Sequence, residues 1–228
     1  MASKRDGREA ARAHAAAERA AAVRRTRRNR TLVLVAVVAI VVVAGVVTAV
    51  VTSNRAADPS PAAGASAGRT SAPPWPAPTD VDARVRAAGL TLLSAEGTVL
   101  HTHQHLSITV DGNAVTVPAE IGIDENAGLS AIHTHDTSGI IHVESPKAQT
   151  FTLGQVFTEW NVHLGKAAVG PWENGKDGAR LTVFVNRKPY SGDPNAIALT
   201  AHEDIDVVVT HDGSTPTPPA PFTFPAGY

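Results

Sequence analysis

The sequence predicts an α+β domain: a mostly antiparallel sheet with one main helix, carried behind an N-terminal transmembrane helix. Three observations predict it. Alternating apolar and polar runs end at Gly, Asn and Asp turns; only one longer segment shows apolar residues at helical spacing; and a twenty-residue stretch without charge, residues 32–51, lies near the N-terminus. The 228-residue chain therefore divides into a basic cytoplasmic tail (1–30), a transmembrane helix (31–52), a Pro/Ala/Ser-rich linker (53–79), an extracytoplasmic His-rich domain (80–213) and a Pro-rich tail (214–228).

The membrane segment follows from length and charge. Twenty helical residues span about 30 Å, the thickness of a bilayer's hydrocarbon core. Lipid leaves no partner for an unpaired backbone amide, so a helix is expected despite the many valines. Residues 1–30 hold ten Lys/Arg against three acids, and the cluster Arg24, Arg25, Arg27, Arg28 and Arg30 abuts the apolar run. Positive flanks stay inside, so the chain is expected to lie in the cytoplasmic membrane as a single pass, N-terminus inside and C-terminal domain outside. A cleaved signal peptide is the alternative, but its apolar region is shorter and ends in a small-x-small site, whereas this run continues into Thr52, Ser53, Asn54 and Arg55. The remaining chain holds ten bases and eighteen acids and few aromatics, which argues against nucleic acid as a partner. With no cysteine, disulfides, thiolate nucleophiles and Cys-ligated metals are excluded.

Within the domain, residues 81–88 read as a short helix. Residues 105–110 alternate and meet Asp111-Gly112-Asn113, a strong hairpin signal, with residues 114–117 as the return strand. Residues 129–135 and 140–144 read as a second hairpin around the turn 136–139. Residues 152–160 read as the main helix, with Thr152 as its cap and Leu153, Val156, Phe157 and Trp160 on one face. A loop (165–178), a strand (180–185), a turn (189–194) and a last strand (205–210) complete the domain. Strand–strand–helix–strand–strand resembles a β-grasp core with the His-rich hairpin inserted; a small barrel or sandwich is the alternative.

Six of the ten histidines fall within 42 residues. On a strand, His101, His103 and His105 point to one face, and so do His133 and His135. If the 136–139 turn closes on Thr137 and Ser138, His133 lies opposite His142, with Glu144 farther along the same face. Imidazoles paired in this way suit copper or zinc. Six imidazoles on one side of a sheet gain little from packing alone. His101, His103, His105, His133, His135 and His142 are the candidate ligands. Gln104, Asp136 and Glu144 are candidates to orient a ring or to ligate.

The segments His101–Leu106, His133–Ser145 and Thr152–Gln155 resemble the motifs of a bacterial and archaeal, often membrane-anchored family to which no activity is attached. That family carries a His-x-His-x-His-Leu strand, a His-Thr-His-Asp-x-x-Gly-Ile-Ile-His-x-Glu-Ser segment and a Thr-Leu-Gly-Gln helix start. The resemblance covers residues 100–160, with a weaker echo to 210, and implies that the histidines act as a unit.

The expected function is a membrane-anchored extracytoplasmic metal-binding module for Cu(II) or Zn(II), acting in metal buffering, sensing or delivery. The single methionine argues against a Met-rich Cu(I) carrier. One alternative is a metal-dependent enzyme with an open three-histidine site that activates water or oxygen, Glu144 or Asp136 moving the proton. Another is an envelope adaptor with structural histidines and an envelope protein as partner. Clustered imidazoles could also act as a pH sensor. His163, His202 and His211 are expected at a helix end, a turn and a strand end.

Overall fold

The computed structural model describes residues 67–228. The basic tail, the membrane helix and the start of the linker lie outside the described residues. Among the described residues no helix is long and apolar enough to cross a membrane.

The described chain is a β-rich α+β structure with two α-helices, α1 (Val81–Ala87) and α2 (Leu153–Trp160). The main sheet comprises β1 (Leu100–Val110), β2 (Asn113–Val115), β5 (Ile132–His133), β6 (Ile140–Ser145), β10 (Arg180–Val185), β11 (Lys188–Tyr190) and β12 (Asp204–Thr210). Short pairs form outside it, β3 (Ile123–Asp124) with β4 (Gly128–Leu129), and β7 (Leu164–Gly165), β8 (Ala168–Val169) and β9 (Trp172–Glu173) in a row where a loop was expected. The main sheet is an open path ordered β11-β10-β12-β1-β6-β5, not a closed barrel.

β1 organises this path. Its first half pairs antiparallel with β6, its end pairs antiparallel with β2 on that same edge, and β12 runs parallel to it on the other edge from His105↔Asp204 to Val110↔Val209. The His-rich hairpin is thus a member of the main sheet. The remaining pairs are antiparallel.

Alternation sorts the side chains. Leu106 and Ile108 of β1, Ile141 and Val143 of β6 and Ile205, Val207 and Val209 of β12 join one core with Leu153, Val156, Phe157 and Trp160 of α2. Their odd or even neighbours, His101, His103, His105 and Ser107 of β1, His142 and Glu144 of β6 and Asp204 and Asp206 of β12, fall on the opposite face. α2 starts where expected: the Gln155 side-chain oxygen accepts from the Thr152 amide (3.0 Å), while its Nε2 donates to Ala88 O (3.1 Å), tying α2 to the end of α1.

Three places differ from the sequence reading. Residues 67–79 are not a free linker: Trp75 is buried in the core, its ring edge-on to Trp160 at 5.6 Å, and Trp160 Nε1 donates to Trp75 O (2.9 Å). The turn expected at 189–194 overlaps the end of β11, where Pro189 is tolerated because an edge strand can face outward without an amide. The tail 214–228 lies on the polar face, where the Phe222 amide donates to Asp204 Oδ2 (2.9 Å). His202 sits in a turn with φ 59°, and His211 follows β12 with its Nδ1 2.9 Å from Asp111 Oδ2, both as expected.

Candidate metal centre

The site is assembled by strand register. Across the hairpin His133 pairs with His142, the register expected from the turn. Across β1 and β6, His103 pairs with His142 and His101 with Glu144. β6 therefore stands between two histidine-bearing strands and brings His142 and Glu144 to both. Gly139 makes the closing turn possible. Its φ is 83°, and a Cβ there would meet Leu106 O at 2.4 Å and the His105 ring at 3.1 Å.

Among the described residues, three groups of donors could hold a metal ion: His133, His135 and His142; His101, His103 and Glu144; and Glu96, His133 and Glu144. Within each, one ligand atom per residue lies within 4.8 Å of the others. His133 and His135 hold their Nε2 atoms 3.2 Å apart, and so do His101 and His103. Glu144 Oε1 is 3.1 Å from His101 Nε2 and 3.5 Å from His142 Nδ1, and its Oε2 is 3.9 Å from His133 Nε2. The rings crowd edge to face, His103 to His142 at 4.7 Å and His135 to His142 at 4.5 Å.

Burial sets the protonation of these groups. It lowers His142 to about 3, with the charges of His135, His133, His103 and His101 adding to the effect. It lowers His133 to about 4 against the raising effect of the Ser130 carbonyl. His103 is lowered by burial and then by His101. Glu144 is raised by burial and then by the Glu96 charge. At neutral pH the rings of His133 and His142 are therefore uncharged and hold a lone pair. His133 Nδ1 lies 2.9 Å from Ser130 O, so its ring proton is committed there and Nε2, which keeps the lone pair, faces His135 Nε2 in the cluster.

Two atoms at the centre, His142 Nδ1 and Glu144 Oε2, are buried without a hydrogen-bond partner. Such atoms cost on the order of 1–3 kcal/mol each when left unpaired. A cation among them would satisfy both, so the residues present fit a divalent ion bound by nitrogen and carboxylate.

Not every candidate joins. His105 shares the face of His101 and His103, but its Nδ1 is 2.8 Å from Asp204 Oδ1 and its ring stacks on Phe222 at 3.8 Å. It belongs to none of the three groups. Asp136 is exposed; its carboxylate accepts from the Ser138 amide (2.8 Å), and bonds to Ser138 hold it below the usual carboxylate range. It caps the turn. Gln104 alternates to the other face and donates to Thr102 Oγ1 (2.9 Å). Glu96, half-exposed before β1 and 3.9 Å from His135 Nε2, was not anticipated. A lone acid in a loop has no period or turn that would mark it in the sequence. Tyr228 was also missed: its ring lies 4.8 Å from that of His103 and 5.7 Å from that of His142, and its carbonyl is 2.9 Å from His202 Nε2.

Behind His133, Ser130 Oγ donates to Glu159 Oε1 of α2 (2.6 Å). Glu159 is fully enclosed, and burial pushes its carboxyl up to about 8. A raised acid stabilises the fold fully below its ordinary value near 4.5 and loses that contribution as pH rises through 8. Glu159→Gln is therefore expected to hold its melting temperature level from pH 6 to 9, where the wild type falls. Thermal melts across that range check it.

No protein family, curated protein or solved structure matches the chain.

Proposed function

We propose that this chain is a membrane-anchored extracytoplasmic metal-binding module that takes Cu(II) or Zn(II) and acts in buffering, sensing or delivery of the ion. The observation that carries the reading is the donor set itself. Two imidazole pairs, each with Nε2 atoms 3.2 Å apart, flank a buried Glu144 whose Oε2 has no hydrogen-bond partner. The proposed ligands are His101, His103, His133, His135, His142 and Glu144, with Glu96 at the rim. Bound there, the ion would supply positive charge to a face that otherwise buries a carboxylate beside the neutral rings of His133 and His142. Anchoring by residues 32–51 is part of the proposal and rests on their uncharged run beside the arginine cluster.

We also read the main sheet as β-grasp-like. The support is the parallel pair β1 and β12 at its centre, an antiparallel strand outside each, and α2 between the two halves in sequence.

Elemental analysis tests the function. The full chain, purified in detergent after loading with Zn(II) or Cu(II) and desalting, is expected to retain metal, and the His133→Ala, His142→Ala double variant to retain at most half as much. Metal-free wild-type protein would sink the reading and leave the adaptor alternative.

A further inference from the structure

The donors separate into two sets that share one carboxylate. His133 and His135 fall in a group with His142, whereas His101 and His103 fall in a group with Glu144. Two nitrogens on one tetrahedral zinc, each at about 2.0–2.1 Å from it, sit about 3.3 Å apart. The Nε2 separation within each histidine pair is 3.2 Å, so each pair is already spaced as two ligands of one ion. The pairs approach from opposite sides of β6, because β1 and β5 flank that strand on its two edges. Glu144, on β6, presents Oε1 to His101 at 3.1 Å and Oε2 toward His133 at 3.9 Å. One carboxylate with an oxygen toward each pair has the shape of a bridge, and two-metal sites place their ions about 3.5–4 Å apart.

We infer that the site is dinuclear: one ion is held by His133, His135 and His142, a second by His101 and His103, and the carboxylate of Glu144 spans the two. This rests on the proposed metal-binding function and deepens it, since it fixes the number of ions and divides the ligands between them. Glu96 belongs to the His133 side, where it groups with His133 and Glu144. Among the described residues the second pocket has three protein donors, His101, His103 and Glu144, and His101 is half-exposed.

Stoichiometry decides it. The full chain in detergent is titrated with Zn(II) by calorimetry and, separately, loaded with Cu(II) for electron paramagnetic resonance. His101→Ala and His135→Ala are the paired variants; both side chains stand at the exposed rim (54% and 45%), so the core stays packed without them. The wild type is expected to bind two ions per chain, and each variant one, with an affinity within about threefold of one wild-type site. Two bridged Cu(II) ions couple, so the wild-type copper signal should integrate to well below the total copper, whereas each variant should integrate to all of it. A wild-type stoichiometry of one, a variant that still takes two, or a single variant that loses both ions overturns the inference while leaving metal binding standing. A stoichiometry of zero overturns both. The wild-type result stands alone if a variant fails to fold, which melting in chelator would show.

Discussion

Saturating the full chain with Zn(II) is expected to raise its melting temperature by about 8–16 °C, and excess chelator to abolish the rise. A ligand that binds only the folded state at a thousand times its Kd adds about 4 kcal/mol. For a domain of this size each kcal/mol moves the midpoint by roughly 2–4 °C. Replacing His133 with Ala should remove about half of the shift or more, because this residue belongs to two of the three donor groups. Acid provides a second axis. His133 and His142, at about 4 and about 3, lie below the ordinary histidine value of 6.5. At these two rings the unfolded chain therefore takes up protons first as pH falls, and their contribution to the stability of the metal-free protein, complete above 6.5, is lost progressively toward 3. Metal-free melts of the Glu159→Gln variant between pH 7 and 4, free of the opposing contribution of that carboxyl, should show this decline. A flat profile would mean that the rings are not buried as neutral groups. A melting temperature insensitive to both zinc and chelator would contradict the metal-binding reading.

Trp75→Ala is expected to cost about 3–5 kcal/mol, the usual loss for removing a buried indole. The side chain is only 2% exposed, lies edge-on to Trp160 and Trp172, and presses against Gly170. Chemical denaturation with an unchanged slope is the measurement. A loss below about 0.5 kcal/mol, the ordinary range for surface changes, would return residues 67–79 to the linker that their prolines suggest.

What local chemistry dictates was legible before the structure. The Asp136–Gly139 turn set His133 opposite His142, the spacing of Leu153, Val156, Phe157 and Trp160 marked α2, and β10 occupies Arg180–Val185, where a strand was expected. What depends on distant chain was not. His105 has the strand period of a ligand, yet its ring is held by Asp204, 99 residues away. The pairing of β1 with β6 puts His103 beside His142, and no turn between those strands announces it. Trp75 sits among prolines whose composition says linker, but one large apolar ring outweighs composition when a core lies within reach. The two-sided division of the histidines needed the sheet order, since both His-x-His elements look alike in sequence.

The parallel pairing of β1 with β12 has a consequence for the order in which the sheet is completed. Joining His105 to Asp204 closes a loop of about a hundred residues, and contacts of such sequence separation form late and slowly. The strand that carries His101 and His103 reaches its place at the middle of the sheet only after nearly the whole domain has been synthesised. The donors of the proposed metal site, all within residues 96–144, meet instead through the β1–β6 and β5–β6 pairings, whose shorter sequence separation lets that geometry form before this edge of the sheet closes.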